Sequence, residues 1–307
     1  MSIVVVGSVA FDTITSPSGH ADNELGGAAT YFSLAASYFT QVRMVAVVGD
    51  DFTAEHERVF SSRGIDTRGI ERAAGKTFRW GGRYTDNLNE AKTDFTELNV
   101  FERFQPRIPH EYLDSNFLFL ANIHPSLQAA VRLELNRVQL TGGDTMNFWI
   151  QRTPQELAET LRLVNILLIN DSEAKMLANE TNLPRAARKV LTMGPQALVL
   201  KHGEYGATIF FRDGAFGVGR HPFRAPALPI EEVKDPTGAG DSFAGGFMGY
   251  MASQGEVNRE VLKRALFYGG VMGSFAVERF GTERLQSLTR DEIEARFQIF
   301  RELTNLE

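Results

Sequence analysis

The chain has 307 residues, 43% hydrophobic and 23% charged, enough to bury a substantial core as one large α/β domain or as one domain with a small appendage. A formal charge of −6 gives no electrostatic reason to expect nucleic-acid binding, and no apolar stretch is long enough to span a bilayer. The absence of cysteine excludes disulfides and thiolate metal sites, and the six histidines form no helical pair at zinc-ligand spacing.

The chain opens on Met-Ser-Ile-Val-Val-Val-Gly, which reads as a strand over 3–6 and lacks the basic lead of a signal peptide, so a cytoplasmic protein is expected. A helix is predicted over 27–39, a strand over 44–48 and a helix over 54–63. Residues 76–99 break that rhythm: they are polar and rich in strand formers, with Phe78 and Trp80 two apart on one strand face. They predict a small β-flap, against the plainer alternative of a surface meander. Next come a strand at 117–120, a helix at 127–138, a strand at 145–149 and a helix at 154–162. A strand at 166–169, a helix at 172–178 and a strand at 197–200 follow. Residues 207–211 and 215–218, joined across Arg212-Asp213-Gly214, predict an antiparallel hairpin. Three helices close the chain, at 240–252, 256–279 and 290–302. This alternation predicts a three-layer α/β/α fold with a mostly parallel central sheet.

The densest chemical signal is Asp235-Pro-Thr-Gly-Ala-Gly-Asp241, which leads into an apolar helix. Gly238 and Gly240 permit a sharp turn, and the first turn of a helix offers N–H donors and a positive dipole end to an anion. Asp241 there could take a proton from an incoming hydroxyl, or could simply cap the helix. After the first strand, Gly7-Ser-Val-Ala-Phe-Asp12 and Leu25-Gly26-Gly27-Ala-Ala-Thr30 would meet a ligand at the carboxyl edge of the sheet. Asn170-Asp-Ser-Glu173 and Lys201-His-Gly203-Glu-Tyr-Gly206 each follow a strand, where the first could be a helix cap and the second a plain turn. Asp144 and Asn147 lie near the end of a central strand as lesser candidates. No Gly-x-x-x-x-Gly-Lys-Ser/Thr string occurs, and the loop after the first strand has no Gly-x-Gly-x-x-Gly. A P-loop ATPase and a dinucleotide dehydrogenase are therefore disfavoured.

Asp235-x-Thr237-Gly238-Ala239-Gly240-Asp241-x-Phe243, with its small-residue helix, resembles the C-terminal signature of ribokinase-like carbohydrate kinases of the phosphofructokinase-B type. Matching segments run in order from Gly7 to Gly281. The resemblance implies one kinase domain over 1–307, with a β-sheet lid built from about 12–25 and 76–100. It implies Asp241 as catalytic base and the amides of Gly238, Ala239 and Gly240 as the anion hole. Asp12, Gly26 and Gly27 would grip the phosphate acceptor, with Thr30 standing where an Asn is frequent. Asn170 and Glu173 would organise the water shell of Mg2+. Lys201, Gly203, Gly206 and Thr237 would contact ATP, and Ala276 and Gly281 would border adenine. In some relatives a monovalent cation such as K+ supports the anion hole, here near Asp235, although Pro236 replaces the commoner Thr. The expected reaction moves the ATP γ-phosphoryl group to an alcohol of a small polyhydroxylated acceptor, with a pentose or hexose ahead of a nucleoside or cyclic polyol. A non-catalytic regulatory relative is the alternative of another class, and lid-mediated dimers in relatives make a homodimer a further expectation.

Overall fold

The computed structural model describes residues 1–85, 87–217, 219 and 221–304. The chain starts with β1 (Ser2–Val6), β2 (Ala10–Ser16), β3 (Gly19–Gly26), α1 (Ala28–Ala36) and β4 (Gln41–Val48). It continues through α2 (Ala54–Ser61), β5 (Asp66–Arg72), β6 (Phe78–Arg83), β7 (Lys92–Glu97) and β8 (Phe117–Leu120). The middle holds α3 (Pro125–Glu134), β9 (Leu140–Gly143), α4 (Asn147–Arg152), α5 (Pro154–Leu161) and β10 (Ile166–Asn170). Then come α6 (Asp171–Ala178), α7 (Leu183–Leu191), β11 (Ala197–Lys201), β12 (Ala207–Phe211) and β13 (Phe223–Ala225). The last elements are α8 (Ala239–Gln254), α9 (Arg259–Ala276), α10 (Glu283–Ser287) and α11 (Arg290–Thr304).

Among the described residues, nine strands form one sheet in the order β13-β12-β11-β10-β9-β8-β1-β4-β5. From β5 to β11 every neighbour is parallel, and only the β11–β12 and β12–β13 pairs are antiparallel, so β12 alone runs against the rest of the sheet. A parallel sheet must be covered on both faces, which explains its unbroken apolar strands. In β1, Ile3 and Val5 belong to the core shared with α1, α8 and α9, whereas Val4 and Val6 belong to the core shared with α3, α5, α6 and α7. Because the strands are parallel, Gly7, Asp144, Asn170 and Lys201 all reach the same carboxyl edge.

The polar break in the pattern forms a separate four-stranded sheet, β3-β2-β6-β7, with β2 and β6 parallel. Its outer strand β7 is exposed along its whole length. The small sheet is tied down at its hairpin, where Ser16 Oγ donates to the Lys234 carbonyl (2.6 Å) and Ser18 Oγ to that of Val233 (2.7 Å).

Two sequence expectations are corrected. The strand expected over 145–149 is β9, five residues earlier, and Asn147 begins a helix. Gly142 and Gly143 look like a break, but here they are strand residues squeezed from both sides. A methyl group on Gly142 would stand 2.7 Å from Met248 Sδ, and one on Gly143 would stand 3.0 Å from Val164. The hairpin partner expected over 215–218 does not pair with β12; Ala215–Gly217 is a tight turn and Val218 lies outside the described residues. Phe216 and Gly217 both take positive φ there, which turns the chain out of strand geometry, and β13 supplies the antiparallel partner instead. Helix α7 was not anticipated, although Asn182 caps it and Pro184 sits in its first turn.

Candidate active site

The entrance of α8 is built by Asp235. Its Oδ1 accepts the Thr237 N–H (2.8 Å) and its Oδ2 the Gly281 N–H (2.9 Å), so one buried carboxylate ties the loop to the turn after α9. Gly238 then adopts φ 71°, a left-handed conformation that glycine tolerates, and a Cβ on it would overlap the Tyr31 ring. Among the described residues, the Ala239 amide donates to the Pro236 carbonyl (3.2 Å), whereas those of Gly238 and Gly240 bond no carbonyl. They remain available at the positive end of a helix of 16 residues.

Asp241 stands in that first turn and stays partly accessible. Its carboxyl is pushed up to about 7, first by desolvation and then by the nearby Asp144, with Lys201 opposing. Lys201, at the end of β11, lies against the same helix entrance: a methyl group on Gly240 would stand 2.9 Å from its Nζ. Desolvation alone would lower the Lys201 ammonium, but Asp144, Glu173 and Asp241 together raise it. Glu173 is likewise pushed up to about 7, by desolvation and then by Asp144. Asn170 and Glu173 form a reciprocal cap on α6, with both bonds at 2.8 Å. Three carboxylates around one ammonium leave an excess of negative charge when ionised, and their hard oxygen donors suit Mg2+. Among the described residues no group of three acidic or imidazole side chains forms a metal cage, so an ion here would keep water and phosphate ligands.

Across the entrance, Asp12 projects from β2 and is 4% exposed. Its carboxylate lies so flat on Gly26 that a Cβ there would overlap Oδ2. Desolvation pushes Asp12 up to about 8, Asp235 and Asp241 add to this, and the Gly27 amide opposes it. Trp80 on β6 stands in register with Asp12, so the two side chains share a face of the small sheet. The Trp80 indole is half-buried.

The structure thus brings Asp12, Gly26, Gly27, Asp235, Thr237, Gly238, Ala239, Gly240 and Asp241 together, with Asn170, Glu173 and Lys201 behind them. Thr30 is fully buried on α1, and its neighbour Tyr31 is the residue that faces Asp12, Asp235 and Asp241. Helical spacing from Gly27 carried that signal, since position i+4 returns to the same side. Tyr84 was also missed; its hydroxyl meets Thr237 Oγ1 at 3.1 Å. Gly203 begins the turn after β11, with Asn89 of the β6–β7 connection resting on it and donating to Glu204 (3.2 Å). Gly206 packs on the Ala225 carbonyl. Ala276 and Gly281 are both buried, so neither presents an open slot in this conformation. A groove of about 700 Å³ between α7 and β12 contains none of these residues.

A small sheet carrying one carboxylate, folded over a glycine-rich helix entrance carrying another, is the arrangement of a phosphotransferase acting on small molecules. Residues 2–288 match the model of the pfkB family carbohydrate kinases, and the chain belongs to that family of ATP-dependent kinases. A cytidine kinase of Thermococcus kodakarensis is 32% identical over 274 residues, covering 87% of this chain and 94% of the relative. The fold is shared with the nucleoside kinase of Burkholderia thailandensis in complex with ADP-inosine (TM-score 0.77, 21% identity, 99% and 100% coverage). It is also shared with the ribokinase of Cryptococcus neoformans in complex with ADP (TM-score 0.77, 19% identity, 96% and 99% coverage). No helix among the described residues is long and apolar enough to cross a membrane.

Proposed function

We propose that this kinase phosphorylates a hydroxyl on the ribose of a nucleoside, with ATP as donor. The observation that carries the choice of acceptor is Trp80, an aromatic surface beside the buried Asp12 on the small sheet. A sugar gripped by Asp12 leaves that surface to a planar base, and base–aromatic stacking contributes about 1–3 kcal/mol. The likeness to a cytidine kinase over most of both chains supports the same reading. A free sugar is the second reading, favoured by the description of the matched family as carbohydrate kinases.

In the proposed reaction the acceptor hydroxyl attacks the γ-phosphorus, its proton passes to Asp241, and the bond to the β–γ bridging oxygen breaks to release ADP. The Gly238 and Gly240 amides and the Lys201 ammonium stabilise charge on the moving phosphoryl oxygens. Asn170 and Glu173 would hold the water shell of a bound Mg2+, which would supply neutralisation of phosphate charge. Gly203 and Gly206 border ATP, while Asp12 with the Gly26–Gly27 turn fixes the acceptor and the small sheet excludes water as a lid.

The test is ADP release with MgATP across cytidine, other nucleosides, ribose and hexoses, with Asp241→Asn as control. Release with a nucleoside and its loss in the control is expected. Release with free sugars alone overturns the nucleoside, and equal release in the control overturns Asp241 as base.

A further inference from the structure

Tyr31 is 1% exposed, and its phenol oxygen has no hydrogen-bond partner among the described residues. Its ring is wedged beneath Gly238, and it faces Asp235, Asp12, Tyr84 and Asp241. A buried hydroxyl without a partner is destabilising, so its persistence at the meeting point of two carboxylate-bearing elements needs a reason. The neighbours do not provide one. Both oxygens of Asp235 already accept amides, Tyr84 is engaged with Thr237, and the Asp12 carboxylate lies across Gly26 with the Gly27 amide beside it.

The group that completes Tyr31 must accept from a phenol in surroundings dominated by carboxylates, which call for donors. A hydroxyl does both, whereas an ether or carbonyl oxygen only accepts. We propose that Tyr31 is a specificity-determining residue, whose phenol donates a hydrogen bond to an acceptor hydroxyl that in turn donates one to Asp12. The site then reads the presence of that hydroxyl, because an analogue lacking it leaves the buried Tyr31 phenol unpaired and takes one donor away from Asp12. The inference rests on the phosphotransferase reading above and deepens it by naming what the acceptor must carry.

Tyr31→Phe removes one oxygen and keeps the ring under Gly238. In the ligand-free protein the variant melts at an equal or higher temperature, since nothing bonded to that oxygen. With cytidine, or with the nucleoside that the wild type uses best, KM rises about three- to tenfold, with kcat and its pH profile little moved. Of the 2′-deoxy and 3′-deoxy analogues, the one lacking the hydroxyl that is read suffers no further rise in the variant. A marked fall in melting temperature assigns the hydroxyl a structural role and overturns the inference. So does an equal loss on every analogue, or no loss on any. If the free sugars alone are turned over, the same comparison is made with ribose and its monodeoxy forms. If the wild type turns over no acceptor, the function proposed above falls and this inference falls with it; an active wild type with an unaffected variant sinks the inference alone.

Discussion

At the residue scale, the site depends on carboxyls held away from their ordinary range. Desolvation and Asp144 push Asp241 up to about 7, so its ionised fraction, the form that acts as base, grows as pH rises through neutrality. The expected pH profile of kcat falls as pH drops through about 7. Asp241→Asn lowers kcat by on the order of 10²–10⁴ while ATP affinity, read by calorimetry, is largely kept. Lys201→Met, which leaves the carboxylates around it unopposed, lowers kcat by on the order of 10². An unchanged kcat would remove its ammonium from the chemistry. Much of this was legible, because Asp241 and its glycines stand in a contiguous string. Tyr31 was legible only in part, since its i+4 spacing from Gly27 set its side of the helix but not the carboxylates that the fold brings to it. Lys201 reads as a solvated turn residue until Asp144 and Glu173 arrive from two other strand ends.

Elements place those residues by close packing. Helix α8 lies against α1 through Gly245, where a Cβ would overlap the Phe32 carbonyl, and against α9 through Gly246, where it would stand 2.5 Å from the Tyr268 carbonyl. Gly245→Ala is expected to destabilise by about 1–3 kcal/mol in chemical denaturation, because backbone cannot step aside as a side chain can. Gly270→Ala on α9, whose nearest neighbour is the Phe300 ring at 3.3 Å, should cost less. Most helices and buried strands were readable from their periodicity. The misplacement of β9 has a definite cause: Gly142 and Gly143 look like a break, yet the strand needs them small because Met248 and Val164 press on its two faces. The short β13 was invisible because three residues carry no period.

At the scale of the whole molecule, the enclosed carboxyls weigh on stability. Asp12, Asp241 and Glu173 are raised to about 8, 7 and 7, so between pH 4 and 8 the folded chain binds more protons than the unfolded one. Their contribution is fully present below about pH 4 and is lost as pH rises through 7 and 8. Asp66 and Glu292, each held at about 2, contribute in the opposite sense and lose their contribution only in acid. The ligand-free protein is therefore expected to melt at a lower temperature at pH 8.5 than at pH 5.5, with a shallower slope in Asp12→Asn. A flat profile would contradict the protonation of these groups.

The bonds from Tyr84 to Thr237 and from Asn89 to Glu204 give the small sheet a grip on both halves of the site through one short connection. An acceptor that shifts that connection is expected to disturb the turn that would border ATP as well. Each substrate should then alter the other's dissociation constant, and thermodynamic reciprocity requires the two factors to be equal. Asn89→Ala should bring both factors towards one, leaving an enzyme whose two substrates no longer sense each other.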